Sequence, residues 1–114
     1  MEHRDIIIIR KIISEIDFAI DRINGMSQEI FLGDIDAQHS VGMAVINVGE
    51  LIKHISDETR KIYTNIPWKQ AAGFRDVAAH SYDTINMDDL YLTIKEDFPK
   101  LKADLIKILP IDTN

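Results

Sequence analysis

The chain has 114 residues, 13 of them basic and 19 acidic, for a net charge of −6, and it contains no cysteine. That length suits a single domain with one hydrophobic core, and 46% hydrophobic with 28% charged content is the balance of a soluble globular protein. The lack of thiols excludes a disulfide scaffold and any thiolate-bound metal, and the acidic balance excludes a protein that coats nucleic acid by bulk charge alone.

The longest apolar run, Ile6 to Ile9, is closed at once by Arg10 and Lys11. It is far too short for a signal-peptide core or a membrane span, so a cytoplasmic location without membrane contact is expected. Residues from about Asp5 to Ile23 predict a first long helix, with Ile9, Ile13, Ile16, Ile20 and Ile23 recurring at steps of four and three. Four isoleucines within one turn leave apolar groups all round that end. It is therefore buried on two sides or lies in a subunit interface.

Asn24-Gly25 is a pair that accepts left-handed backbone and ends the helix. Ser27 to Leu32 predicts a short helical turn stopped at Gly33. Asp34 then caps a second long helix running to about Ile55 or beyond, with a stripe of Val41, Val45, Val48, Ile52 and Ile55. Gly42 and Gly49 lie seven apart on a neighbouring edge of it, each costing about 1 kcal/mol against alanine. Two such residues on one face predict close approach of another helix or a ligand.

Asp57 to Tyr63 continues as helix or forms a short separate one. Pro67 suits the first position of a third segment that carries Trp68, Ala71, Ala72 and Phe74, with Gly73 a possible irregularity. Asn86 or Asp88 caps a last helix to about Leu109, with a stripe of Leu90, Ile94, Phe98, Leu101, Leu105 and Ile108. Pro99 inside it predicts a kink near Glu96. No stretch predicts a strand, and no repeat or linker divides the chain. The expectation is an all-α antiparallel bundle of four to five helices over residues 1–110, with a loose tail at 111–114.

The chemistry-bearing stretch is Phe74-Arg75-Asp76-Val77-Ala78-Ala79-His80-Ser81-Tyr82. In a helix Arg75 and Tyr82 share a face, Asp76 and His80 share another, and Arg75 and His80 are roughly 140° apart. One helix therefore does not aim Arg75 and His80 at a single atom. They flank a cleft or meet across a symmetric dimer. The plain alternative is that Arg75 pairs with a nearby acid, His80 is capped or in the core, and Tyr82 packs. Elsewhere, Glu50, His54 and Glu58 form a stripe that reads best as a solvated helix face, because zinc sites need three or four ligands with a structured second shell. His3 and His39 stand alone. No metal site or cofactor is expected.

The segment resembles the Arg-x4-His-x-Tyr motif of the HEPN superfamily, specifically the HepT-like toxins. Ile46-Asn47-Val48-Gly49-Glu50 is similar to that group's Asn-Ile-Gly-Glu helical turn, and Ile66-Pro67-Trp68 to its Ile-Pro-Trp element. Helix order and length agree along nearly the whole chain. Asp76 departs from the pattern, since asparagine is commoner after the arginine.

The resemblance implies a HEPN-like bundle acting as a homodimeric, metal-independent endoribonuclease, the toxin of a type VII toxin–antitoxin pair. Its partners would be RNA as substrate and a cognate minimal nucleotidyltransferase antitoxin that transfers AMP to the motif tyrosine. By position, Arg75 and His80 would be catalytic and Tyr82 modified, with Asp76, Asn47 and Glu50 in support. The alternative is a non-catalytic HEPN module that binds a nucleotide or docks the nucleotidyltransferase.

The chemistry is coherent with the residues. Cutting RNA without a metal uses the ribose 2′-hydroxyl against the adjacent phosphate. That step needs a proton-transfer group, which His80 can supply, and positive charge on the phosphorane oxygens, which Arg75 can supply. Asp76, four residues before His80, either orients its imidazole or faces solvent.

Overall fold

The computed structural model describes residues 1–78 and 86–110. Within them every regular element is helical: α1 (His3–Arg22), α2 (Gln28–Leu32), α3 (Ile35–Lys53), α4 (Asp57–Ile62), α5 (Trp68–Ala72), α6 (residues 74–78), α7 (Met87–Leu92) and α8 (Phe98–Ile108), with a π-helical turn (Thr93–Asp97) joining the last two. The all-α bundle expected from the periodicity is the fold observed.

Local chemistry accounts for most boundaries. The Ser27, Asp34 and Ser56 side chains each accept a bond from a backbone N–H three residues on, capping α2, α3 and α4. Gly25 has φ 77°, so the left-handed turn after α1 falls where glycine carries no Cβ penalty. Pro67 stands just before α5 as its N-cap rather than inside it. Pro99 has no N–H for the carbonyl four residues back, and the chain answers with the π-helical turn at Thr93–Asp97 where a kink was predicted.

The core runs through α1, α3, α7, the π turn and α8. Ile9, Ile12, Ile16, Val41, Val45, Val48, Ile52, Leu90, Phe98 and Leu105 are fully buried, each contributing about 1.5–3 kcal/mol by leaving water. The α3 stripe is the one read from the sequence. The α1 stripe is rotated: Ile12 and Ala19 face the core, while Ile13 and Ile20 are only half-buried. Asp5 lies on that same buried face at 1% exposure.

Asp5 fixes how α1 meets α3. Its Oδ1 accepts from Ser56 N at 3.1 Å, and Oδ2 accepts from Ser56 Oγ at 2.5 Å and Thr59 Oγ1 at 2.6 Å. The start of α1 is thereby tied to the turn after α3, and the two helices run antiparallel. Burial alone would raise the Asp5 pKa. The two hydroxyls, the Ser56 N–H and the nearby Arg4 charge more than offset it and hold the carboxyl below its usual value. Lys102 Nζ reaches Asp17 Oδ1 at 2.6 Å and joins α8 to α1. Among the described residues no helix is long and apolar enough to cross a membrane.

Candidate functional site

The site is built where α3 and α6 touch. Gly49 is buried, and a Cβ placed on it would stand 2.6 Å from Arg75 N, 2.8 Å from Arg75 Cβ and 3.0 Å from the Ala72 carbonyl oxygen. No side chain fits between these backbones. The close approach predicted from the glycine pair is therefore made by another helix, and the residue it meets is Arg75 itself. Gly42 is also buried.

The α5–α6 segment is held against that contact from its own side. Ile66 and Trp68 are buried, and Trp68 Nε1 donates to the Tyr63 carbonyl at 2.9 Å, so Ile66-Pro67-Trp68 anchors the loop before α5. The α5 helix ends at Gly73, and the chain resumes as helix with Phe74 packed on Phe98, ring centroids 5.7 Å apart. Phe74 and Ala78 point into the core and Arg75 and Asp76 point out. Ala78 is fully buried, which fixes the face that α6 presents.

Arg75 leans over α3. Its Nε pairs with Glu50 Oε1, and its Nη1 lies 3.7 Å from Asp76 Oδ1. Lys53 Nζ lies 3.9 Å from the same Glu50 oxygen. The Arg75 and Glu50 side chains are 47% and 45% exposed, so the pair is wet enough to contribute little to stability yet is open to a ligand. Glu50 also lines a groove of about 420 Å³ between α1 and α3, with Lys11, Ser14, Glu15, Asn47, Leu51 and His54. The groove continues past Ser14, Glu15 and Asn47 to Phe18 and Met43.

Of the residues singled out from the sequence, the structure brings Arg75, Asp76 and Glu50 together and sets Asn47 one turn away in the adjoining groove. His80 and Tyr82 lie outside the described residues, as do residues 111–114. The Glu50–His54–Glu58 stripe is interrupted, because α3 ends at Lys53 and Glu58 belongs to α4. His54 is exposed. Among the described residues no group of His, Asp or Glu side chains is placed to hold a metal ion.

Sequence reasoning missed Lys53 and the α1 residues Lys11, Ser14 and Glu15. Lys53 had a signal in its three-residue spacing from Glu50. The α1 residues had none, because only the packing of α1 on α3 brings them to the site.

An all-α bundle whose outward arginine is seated on a helix glycine and paired with a groove-lining glutamate defines a class: helical proteins with a polar motif beside a groove. The chain belongs to the ribonuclease HepT-like family, whose model matches residues 9–108. It is 32% identical over 98 residues to a protein of Caldanaerobacter subterraneus named, by inference, as an RNase, covering 86% of this chain and 88% of the other. It is 33% identical over 100 residues to a Thermococcus cleftensis protein whose name assigns it, again by inference, as a ribonuclease HepT, covering 84% and 91%. A Methanocaldococcus jannaschii protein, also named by inference as an RNase, is 30% identical over 98 residues, covering 86% and 84%. No solved structure gives a significant match to the chain.

Proposed function

We propose that this protein is an endoribonuclease that cuts RNA through its 2′-hydroxyl without a metal ion, as the toxin of a type VII toxin–antitoxin pair. The observation that carries the reading is the half-exposed Arg75 guanidinium, held by the groove-lining Glu50 and seated on Gly49. A planar cation fixed in this way suits a phosphate that gains charge during the reaction. The names of its relatives support the ribonuclease part of this reading. His80 supplies proton transfer at the scissile bond.

The working form is a cytoplasmic homodimer, in which each cleft draws on both chains. Ile7, Phe18 and Met43 are 41–57% exposed on α1 and α3, and Phe18 and Met43 are set among the polar residues of the groove that a second copy would cover. A minimal nucleotidyltransferase antitoxin transfers AMP to Tyr82. In the sequence Tyr82 follows Arg75 by seven residues, so the added phosphate is expected to compete for the arginine's charge. The second reading, a non-catalytic module that binds a nucleotide, draws on the Glu50 pairing, which already takes one of the Arg75 donors.

Incubation of tRNA and messenger RNA in EDTA with purified protein separates the two. Intact mass first establishes that Tyr82 carries no AMP, and sedimentation establishes the dimer. Cleavage by the wild type that disappears in His80→Ala and Arg75→Ala, at unchanged helical circular dichroism, is the expected outcome. A folded, unmodified dimer that leaves RNA intact moves the assignment to the binding module.

A further inference from the structure

We propose that the shelf between α4 and α5 is a second contact for the substrate, holding a single-stranded stretch of RNA that leads away from the nucleotide at Arg75. The proposal rests on the ribonuclease reading and adds to it the place where the rest of the substrate lies.

A protein of net charge −6 repels a polyanion as a whole, so RNA is held only where the local field is positive. That criterion rules out most of the concave surface. The α1–α3 groove has Glu15 and Glu50 in its wall. The depression between α5 and α8 has Asp97 and Asp104, and that at the α2–α3 turn has Glu29, Asp34 and Asp36. The shelf between α4 and α5, about 830 Å³ in volume, has two cations, Arg60 and Lys69, and no carboxylate among its described lining residues.

Its build suits a strand whose bases are unpaired. Ile66 and Trp68 are buried in its floor, with Pro67, Lys69 and Gln70 exposed around them. The Trp68 ring is fixed by its bond to the Tyr63 carbonyl, so the floor is formed before anything binds. An apolar floor accepts the face of any base while flanking cations follow the backbone. A duplex keeps its base faces in its own stack and has none to offer.

Arg60 is set in place from behind. Its Nε donates to the Ile55 carbonyl at 3.1 Å and its Nη2 to the Ile52 carbonyl at 2.6 Å. A helix C-terminus carries only about half a negative charge, so a net positive charge remains at the end of α3.

The cations also form a path from the shelf to the motif. Arg75 pairs with Glu50, Lys53 approaches the same carboxylate, and Arg60 grips the carbonyl of the residue before Lys53. Lys69 precedes Arg75 by six residues on the α5–α6 segment, roughly 9 Å at helical rise. One strand can therefore lie on Arg75 and on the shelf together. The acids of α4, Asp57 and Glu58, are in its first turn and do not line the shelf.

Two neutralisations test the proposal in the whole chain: Lys69→Gln on the shelf, and Lys107→Gln on the exposed face of α8 as the control for bulk charge. Each is assayed on a single-stranded oligoribonucleotide of about ten nucleotides and on a dinucleotide. At about 50 mM salt one phosphate contact to a single strand is worth roughly tenfold. Lys69→Gln should therefore raise KM for the longer RNA about tenfold with kcat within about twofold, and lower the salt slope of binding by about 0.7. Cleavage of the dinucleotide, and both substrates with Lys107→Gln, should be unchanged. In the wild type, 4-thiouridine RNA crosslinked by light should mark the tryptic peptide of residues 62–69.

Equal weakening by the two variants, an unchanged KM in Lys69→Gln, or crosslinks confined to other peptides overturns the proposal and leaves the ribonuclease reading intact. Crosslinks at residues 62–69 in a protein that never cleaves uphold the shelf and move the function to RNA binding. A folded wild type that neither cuts nor binds RNA overturns both.

Discussion

Two carboxylates on this bundle show how environment divides labour. Asp5 is sealed at the foot of α1, its oxygens met by two hydroxyls and a backbone N–H. Glu50 stands half in water against a guanidinium. The first has every partner it needs and no access, so it holds two helices together. The second has a charged partner and a place in a groove wall, and among the described residues both of its ion pairs use the same oxygen, so a ligand can reach it. Burial of an acid is expensive unless its hydrogen bonds are complete, which is why the structural carboxylate is the one fully enclosed. The exposed one is left where a ligand can reach it.

That contrast can be broken at either end. The largest effect on stability is expected from Asp5→Ala, which leaves three donors near α4 without their acceptor. A loss of about 3 kcal/mol, read as a fall in Tm of roughly 10 °C, is expected with cleavage per folded molecule unchanged. Glu50→Gln should move unfolding by no more than about 0.5 kcal/mol, so equal losses in the two variants would erase the distinction.

Gly49→Ala comes next. Its Cβ would meet the Arg75 backbone at 2.6 Å, so α3 and α6 must part. Overpacking costs about 1–3 kcal/mol and the gain in helix propensity returns about 1. A net loss of about 1–2 kcal/mol is expected, with a larger proportional loss of cleavage because Arg75 is displaced.

Acid sharpens the comparison further. The Asp5 carboxyl sits below its ordinary value of 3.8 when folded, so its contribution is fully present above that value. It is lost as pH falls through the lower folded one. Denaturant titrations below about pH 4 should therefore show a slope that Asp5→Asn flattens.

The smallest effect is at Asp97, in the π turn. Burial, then the Glu96 charge, raise its pKa, with Lys100 offsetting part. Its charged form therefore costs stability above the folded pKa and costs nothing below 3.8. Asp97→Asn should add about 0.5 kcal/mol at neutral pH and nothing in acid.

The helices, most caps and the α3 core stripe were legible because each depends on residues within a turn or two. The α1 stripe was misaligned by part of a turn. Its run of isoleucines gives nearly equal apolar weight to several faces, and only packing on α3 selects Ile12 and Ala19. Asp5 carried a faint signal, an acid set immediately before four isoleucines, but its partners Ser56 and Thr59 lie about fifty residues away. The Gly49 contact was anticipated as a close approach, while its identity as Arg75 required the tertiary fold. Arg75 and Glu50 were each legible by resemblance. Their direct pairing was not, since no local spacing links α3 to α6.

Seating the Arg75–Glu50 pair on a glycine has a consequence for how this fold can change over generations. Neither Arg75 nor Glu50 is needed to fill the core, and the contact beneath them is between backbones. Both side chains can therefore be lost without unfolding the protein, and a sister chain could keep the bundle while losing the cleavage proposed for this one. Inactive descendants should thus be easy to produce and hard to detect by stability, and the glycine would outlast the residues that gave it a purpose.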